Sequence, residues 1–139
     1  MIIDAKNMIA GRIATVAAKK ALLGEKIDII NAESAIITGK KAFLKSESQR
    51  KRDMGIPTKG PFISRMPDRY LRRIIRGMLP YKQEKGRKAF KRIMCYLGTP
   101  LEFEGKETLA IESANVSKVA NLDYATIGDV CKKLGWKQR

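Results

Sequence analysis

The stretch from Met1 to Ile30 constrains the fold more than any other part of the chain. Ile2 and Ile3 open a short β-branched strand, and Ile27-Asp28-Ile29-Ile30 forms a second. Between them, Asn7 caps a helix running from about Met8 to Leu23, with Gly24 as its C-cap. Ile9, Ile13 and Val16 mark its buried side, while Ala10, Ala14, Ala17, Ala18 and Ala21 favour helix and permit close packing. Strand, helix and strand in this order make a βαβ unit, so the two strands are expected to pair in parallel through a right-handed crossover.

A further strand at Ala35-Ile36-Ile37 leads to Thr38 and Gly39, where a second helix starts and reaches about Arg52. Phe43 and Leu44 lie near its start and are followed by KSESQRKR, so only its first turns are expected to be tethered to a core. Ile93 to Leu97 reads as a strand stopped by Gly98 and Pro100, and LEFEGKETLAIE, turning at Gly105, reads as a hairpin or edge strand. A last helix, capped by Thr126, runs to Leu134 and closes at Gly135. With 139 residues and 44% hydrophobic content, the chain is expected to form a single domain over 1–139 around one core.

The formal net charge is +15, and nearly all of it sits in the middle of the chain. From Met1 to Gly39 there are 5 basic and 4 acidic residues, from Lys40 to Arg92 there are 18 and 4, and from Ile93 to Arg139 there are 6 of each. Charges kept only for solubility are scattered and mixed in sign. A block that carries the whole excess points instead to a surface that meets a polyanion.

Within that block, Pro67 suits the first position of a third helix and Asp68 its positive end. At about 100° per residue, Arg69, Arg72, Arg73 and Arg76 share one face, and Leu71, Ile74, Ile75 and Met78 share the opposite one. The apolar face is expected to pack, and the arginine face to grip phosphate oxygens in pairs through its planar forks. A fourth helix from about Gln83 to Arg92 repeats the design with Lys85, Lys88 and Arg92 on one side. The same candidate surface takes in Lys40, Lys41, Lys45, Arg50, Lys51 and Arg52 along the second helix, and Lys82, Arg87 and Lys91 around the fourth. Lys59 and Arg65 belong to DMGIPTKGPFISRM, from Asp53 to Met66, which has no apolar period and reads as an extended loop ordered by RNA. Tyr70 and Tyr81 are the aromatic residues placed for RNA contact, whereas Trp136 reads as a packing residue.

Several chemistries are excluded. Histidine is absent, which removes the commonest general base, the commonest metal ligand and the His-activated nucleophiles. Cys95 and Cys131 are too few and too far apart for a metal cage or disulfide framework, and read as small core residues. Gly39-Lys40 follows a strand and precedes a helix, but Ser34 and Lys41 stand where a phosphate-binding loop needs glycine and a hydroxyl. Glu47, Asp53, Asp68 and Glu84 are too scattered among cations to converge on metal ions. No apolar run reaches the roughly 18 residues of a membrane span, and the amino terminus lacks signal-peptide features. An intracellular, soluble protein is therefore expected, with no catalytic residues, cofactor, metal, membrane or small-molecule substrate. A magnesium-dependent nuclease and a free-standing regulator of messenger RNA are the rival explanations of the same basic face.

Arg76-Gly77-Met78-Leu79-Pro80, followed by Gly86 and a basic helix entering a strand, resembles the universal large-subunit ribosomal protein family L-thirteen. Ala10-Gly11-Arg12, Ile30-Asn31-Ala32-Glu33 and Thr38-Gly39-Lys40-Lys41 match it too, so the likeness covers most of the chain from Met1 to Pro100. The histidine-containing segment of bacterial members is missing, and Lys133-Leu134-Gly135-Trp136 is similar to the archaeal and eukaryotic branch. The resemblance implies a three-layer α/β/α fold with a small, largely parallel four-stranded sheet and basic helical and loop extensions. It implies ribosomal RNA and neighbouring large-subunit proteins as partners, a non-catalytic role in subunit assembly and translation, and a place in the cytoplasmic large subunit. It also makes Gly77, Met78, Leu79 and Pro80 the turn that sets the angle between the two basic helices, and leaves Arg12 open between RNA contact and local packing.

Overall fold

A computed structural model describes residues 1–119 and 123–137. Strand β1 (Ile2–Asp4), helix α1 (Ala10–Leu22) and strand β2 (Ile27–Ile30) form the βαβ unit, and β1 and β2 are parallel. Strand β4 (Ile93–Cys95) joins the other side of β2, again in parallel, to give a three-stranded sheet in the order β1-β2-β4. The register sets Ile3 beside Ile29 and Ile29 beside Cys95, so these side chains form one buried row. Asp28, on the alternate face of β2, is approached by the Tyr96 hydroxyl at 3.4 Å.

Helix α1 starts two residues later than its pattern predicts. Asn7 takes a left-handed φ of 58°, and the backbones of Met8 and Ile9 are occupied by bridges to Asn115 and Ile36. Ile9 is thus the N-cap, without a side-chain cap. From there the alanines do most of the burying: Ala10, Ala14, Ala17, Ala18 and Ala21 join Ile13 in the core.

The four-stranded sheet of the family resemblance is corrected to three parallel strands and a separate antiparallel pair. After β2, Asn31 in a left-handed conformation and a 3₁₀ turn at Ala32–Ser34 redirect the chain. Strand β3 (Ile36–Thr38) therefore pairs with β5 (Tyr124–Thr126), Ile36 opposite Thr126. Of the hairpin or edge strand expected around Gly105, the hairpin is not formed and the edge strand is reduced to one bridge. Leu101–Phe103 is a 3₁₀ turn that buries Phe103 against the Tyr96 ring at 5.2 Å, and Leu109 makes only a parallel bridge to Ile3.

Helices α2 (Lys41–Asp53), α3 (Pro67–Gly77) and α4 (Glu84–Lys91) follow the predicted bounds closely. Helix α5 (Ile127–Lys133) is capped as expected, the Thr126 hydroxyl accepting from Asp129 N at 3.1 Å. Trp136, Cys95 and Cys131 are all buried in the core, and burial pushes both thiols up to about 12, so they stay neutral.

The α3–α4 connection is where sequence and geometry meet most tightly. Gly77 ends α3, Leu79 N donates to Arg76 O at 3.2 Å, and Gln83 N donates to Pro80 O at 2.9 Å. A Cβ on Gly86 would sit 2.1 Å from Pro80 O, so α4 rests directly on the turn backbone. Gly86→Ala is expected to force the turn open and lower stability by about 2 kcal/mol, a fall of roughly 6–10 °C in melting temperature by circular dichroism.

Candidate nucleic-acid interface

The direction of the arginines follows from which residues of α3 are buried. Leu71 and Ile75 are fully buried, and α3 packs on α1. At about 100° per residue, Arg69, Arg73 and Arg76 then lie well away from the core side, whereas Arg72 falls only about 60° from Ile75, on the shoulder of the helix. Arg69 and Arg73 are exposed as this geometry requires and Arg72 is half-buried, while Arg76, at the end of the helix, is half-buried as well. The Arg72 guanidinium lies 4.4 Å from the centre of the Phe90 ring, its Nη2 donates to Phe90 O at 3.4 Å, and its Nε is buried without a partner. Arg76 lies over the Tyr81 ring at 5.1 Å, and Arg73 Nη1 donates to Phe62 O at 3.0 Å.

Among the described residues none of these arginines forms an ion pair with a carboxylate; the pairs that do form are elsewhere. Met78 departs from expectation: it lies beyond the helix end, is 44% exposed and sits 3.5 Å from the Thr15 hydroxyl, while Leu79 takes the core position. Helical periodicity stops applying once Gly77 ends the helix.

Elsewhere the basic block is less uniform than its composition. Lys82, Lys85, Arg87 and Lys91 are exposed around α4, and Lys88 pairs with Glu84 at 2.7 Å. Arg92 turns inward and donates to Ala21 O at 3.3 Å, a second bond to a carbonyl in the last turn of α1 that already accepts from Gly24 N at 3.1 Å. On α2, Arg50 and Lys51 share Glu47 at 2.8 and 3.4 Å, and Arg52 pairs with Asp53 at 3.1 Å while reaching Leu134 O at 3.2 Å. The helix is also not tethered only at its start. Phe43 is 63% exposed, whereas Ser48, further along, is buried with its hydroxyl 3.3 Å from that of Tyr70. Tyr70 is thereby turned toward α2, leaving Tyr81 as the exposed tyrosine of the block.

The loop between α2 and α3 has no helix or strand but closes on itself, with Gly60 N donating to Ile56 O at 2.9 Å. It holds Lys59 in the open, and Arg65 lines a groove with Trp136 and Lys137. Lys40 and Lys41 are exposed and Lys45 half-buried.

Two groups near this surface are absent from the sequence-derived set. Lys118 lines a hollow with Lys40 and with Arg12, the residue left open above, whose guanidinium donates to Ser113 O. Phe62 and Phe90 line one cleft with Ser64 and the arginines of α3. The Phe62 ring, 72% exposed in a basic loop, carried a readable signal; the stacking of Phe90 on Arg72 spans two helices and had none.

Arg50, hydrogen-bonded to Glu47, holds that carboxyl down to about 2, against an ordinary value of 4.5. A Glu47 titration followed by carboxyl chemical shift should therefore show no step near pH 4.5, and α2 keeps its internal pairing across the physiological range. Glu47→Gln, which frees Arg50 and Lys51, is expected to tighten RNA binding a few-fold and steepen its salt dependence by about one to two.

The chain matches the family model described as Ribosomal protein L13 over residues 1–102. It is 46% identical over 138 residues to the large ribosomal subunit protein uL13 of Methanopyrus kandleri, covering 98% of this chain and 87% of that one. The uL13 proteins of Methanococcoides burtonii and Methanocaldococcus jannaschii are 43% and 41% identical, each with 98% of both chains covered.

Proposed function

The chain belongs to the ribosomal protein L13 family, and on that premise we propose how it works as a structural constituent of the large ribosomal subunit. It is not an enzyme: it acts in translation as part of a cytoplasmic ribonucleoprotein, in association with ribosomal RNA and ribosomal proteins. The proposed mechanism is an electrostatic clamp. A nearly neutral α/β body, read as one domain over 1–139, supplies rigidity, and the block from Lys40 to Arg92 neutralises phosphates on RNA segments that would otherwise repel one another.

The observation that carries this proposal is the set of arginines on α3, gathered on one side of a helix and forming no ion pair with a carboxylate among the described residues. In the free protein these cations repel; beside phosphate they are compensated. The ends of the block contribute differently. Arg92 is assigned to the α1 terminus rather than to RNA, and Arg50, Lys51, Arg52 and Lys88 bring charge already partly matched by their own carboxylates. The turn from Gly77 to Pro80, held against Gly86, keeps α3 and α4 at a set angle so that both meet the RNA.

If about ten cations engage, log affinity falls with log salt at a slope of roughly −7 to −9. Filter binding of a large-subunit RNA transcript across a salt series measures this, and a slope near zero would refute the clamp. Replacing Arg69, Arg73 and Arg76 together by Ala, and keeping Arg72 because it packs on Phe90, is expected to leave the fold intact and reduce the slope by about 2–3. Sedimentation should show less of this variant travelling with large subunits, and unchanged incorporation would count against the α3 face.

A further inference from the structure

We propose that the cleft between α3 and the loop at Phe62 seats a single unpaired RNA nucleotide, its base stacked on the Arg72–Phe90 pair and the Phe62 ring, its phosphates on Arg69, Arg73 and Arg76. This rests on the RNA-binding role above but adds a recognition mode that charge alone does not supply.

The cleft is of the right size and lining. Its volume of about 390 Å³ is near the lower end of the roughly 300–1,000 Å³ typical of small-ligand sites. Its walls combine cations with two aromatic rings, Phe62 and Phe90. The Arg72 guanidinium lies on the Phe90 ring at 4.4 Å and both residues line the cleft, so the pair forms one of its walls. Arginine planes and aromatic rings are the surfaces on which unstacked RNA bases settle. Phe62 leaves 72% of its surface to solvent, yet its carbonyl is held by Arg73 at 3.0 Å. An exposed apolar ring beside guanidinium groups suits a nucleotide better than a paired duplex, whose bases are stacked away from such a ring. It also suits a nucleotide better than an acidic peptide, which would satisfy the guanidiniums and leave the ring in water.

The test uses the full chain and two RNA hairpins, one with a fully paired stem and one with a single bulged 2-aminopurine. Wild-type protein should prefer the bulged hairpin by about ten-fold, the order expected for one stacked base, and should quench the probe. Phe62→Ala, on an exposed side chain, should remove the preference and the quenching, while its circular dichroism and its salt slope on the paired stem match wild type. Equal binding of both hairpins with unquenched fluorescence, alongside a steep salt slope, overturns the stacking site and leaves the clamp standing. An equal loss on both hairpins in the variant overturns it too. In assembled large subunits, a benzophenone side chain in place of Phe62 should cross-link to RNA; cross-linking to protein alone overturns the proposal.

Discussion

Burial of Leu71 and Ile75 of α3, in a helix that packs on the alanine-rich α1, is the contact from which the outward chemistry follows. Each such side chain, fully withdrawn from water, contributes about 1.5–3 kcal/mol, and the buried side of α1 is made mostly of alanine. Once two residues one turn apart are committed to the core, the roll of the helix is determined. The arginines then have no choice of direction, because a single rigid cylinder carries both sets of side chains.

That roll also grades the arginines. Arg69 and Arg73 stand in the open, Arg76 lies over Tyr81, and Arg72 lies on the shoulder, where its stem and plane cover Phe90. A long side chain with an apolar stem can be structural and cationic at once. The same holds for Arg92, whose guanidinium adds a bond to a carbonyl at the end of α1. Charge counts along the chain therefore do not separate a guanidinium that packs on the protein from one left in the open.

Ribosomal RNA is a crowded polyanion, and a protein that holds its segments together needs fixed cations more than it needs many of them. The turn closed by Pro80 O against Gly86 supplies that fixity between α3 and α4, while α2 carries internally paired charge on its exposed face. A rigid centre and a partly self-compensated periphery are what an electrostatic clamp requires, since ordering flexible lysines on binding costs side-chain entropy.

The parallel βαβ start, the bounds of α3, α4 and α5, the burial of both cysteines and the confinement of positive charge were all legible in the chain, because each rests on local periodicity, capping or composition. The Gly77 to Pro80 motif with Gly86 was likewise legible, though only as a resemblance; its cause, a backbone-to-backbone approach, is seen in three dimensions. Tertiary structure alone decided that β3 leaves the parallel sheet for β5, that Leu79 rather than Met78 enters the core, that Arg72 packs on Phe90 and that Arg92 bonds Ala21 O. The physical reason is common to all of these. They are pairings between segments distant in sequence, or breaks in a helical period, and neither leaves a repeating mark along the chain.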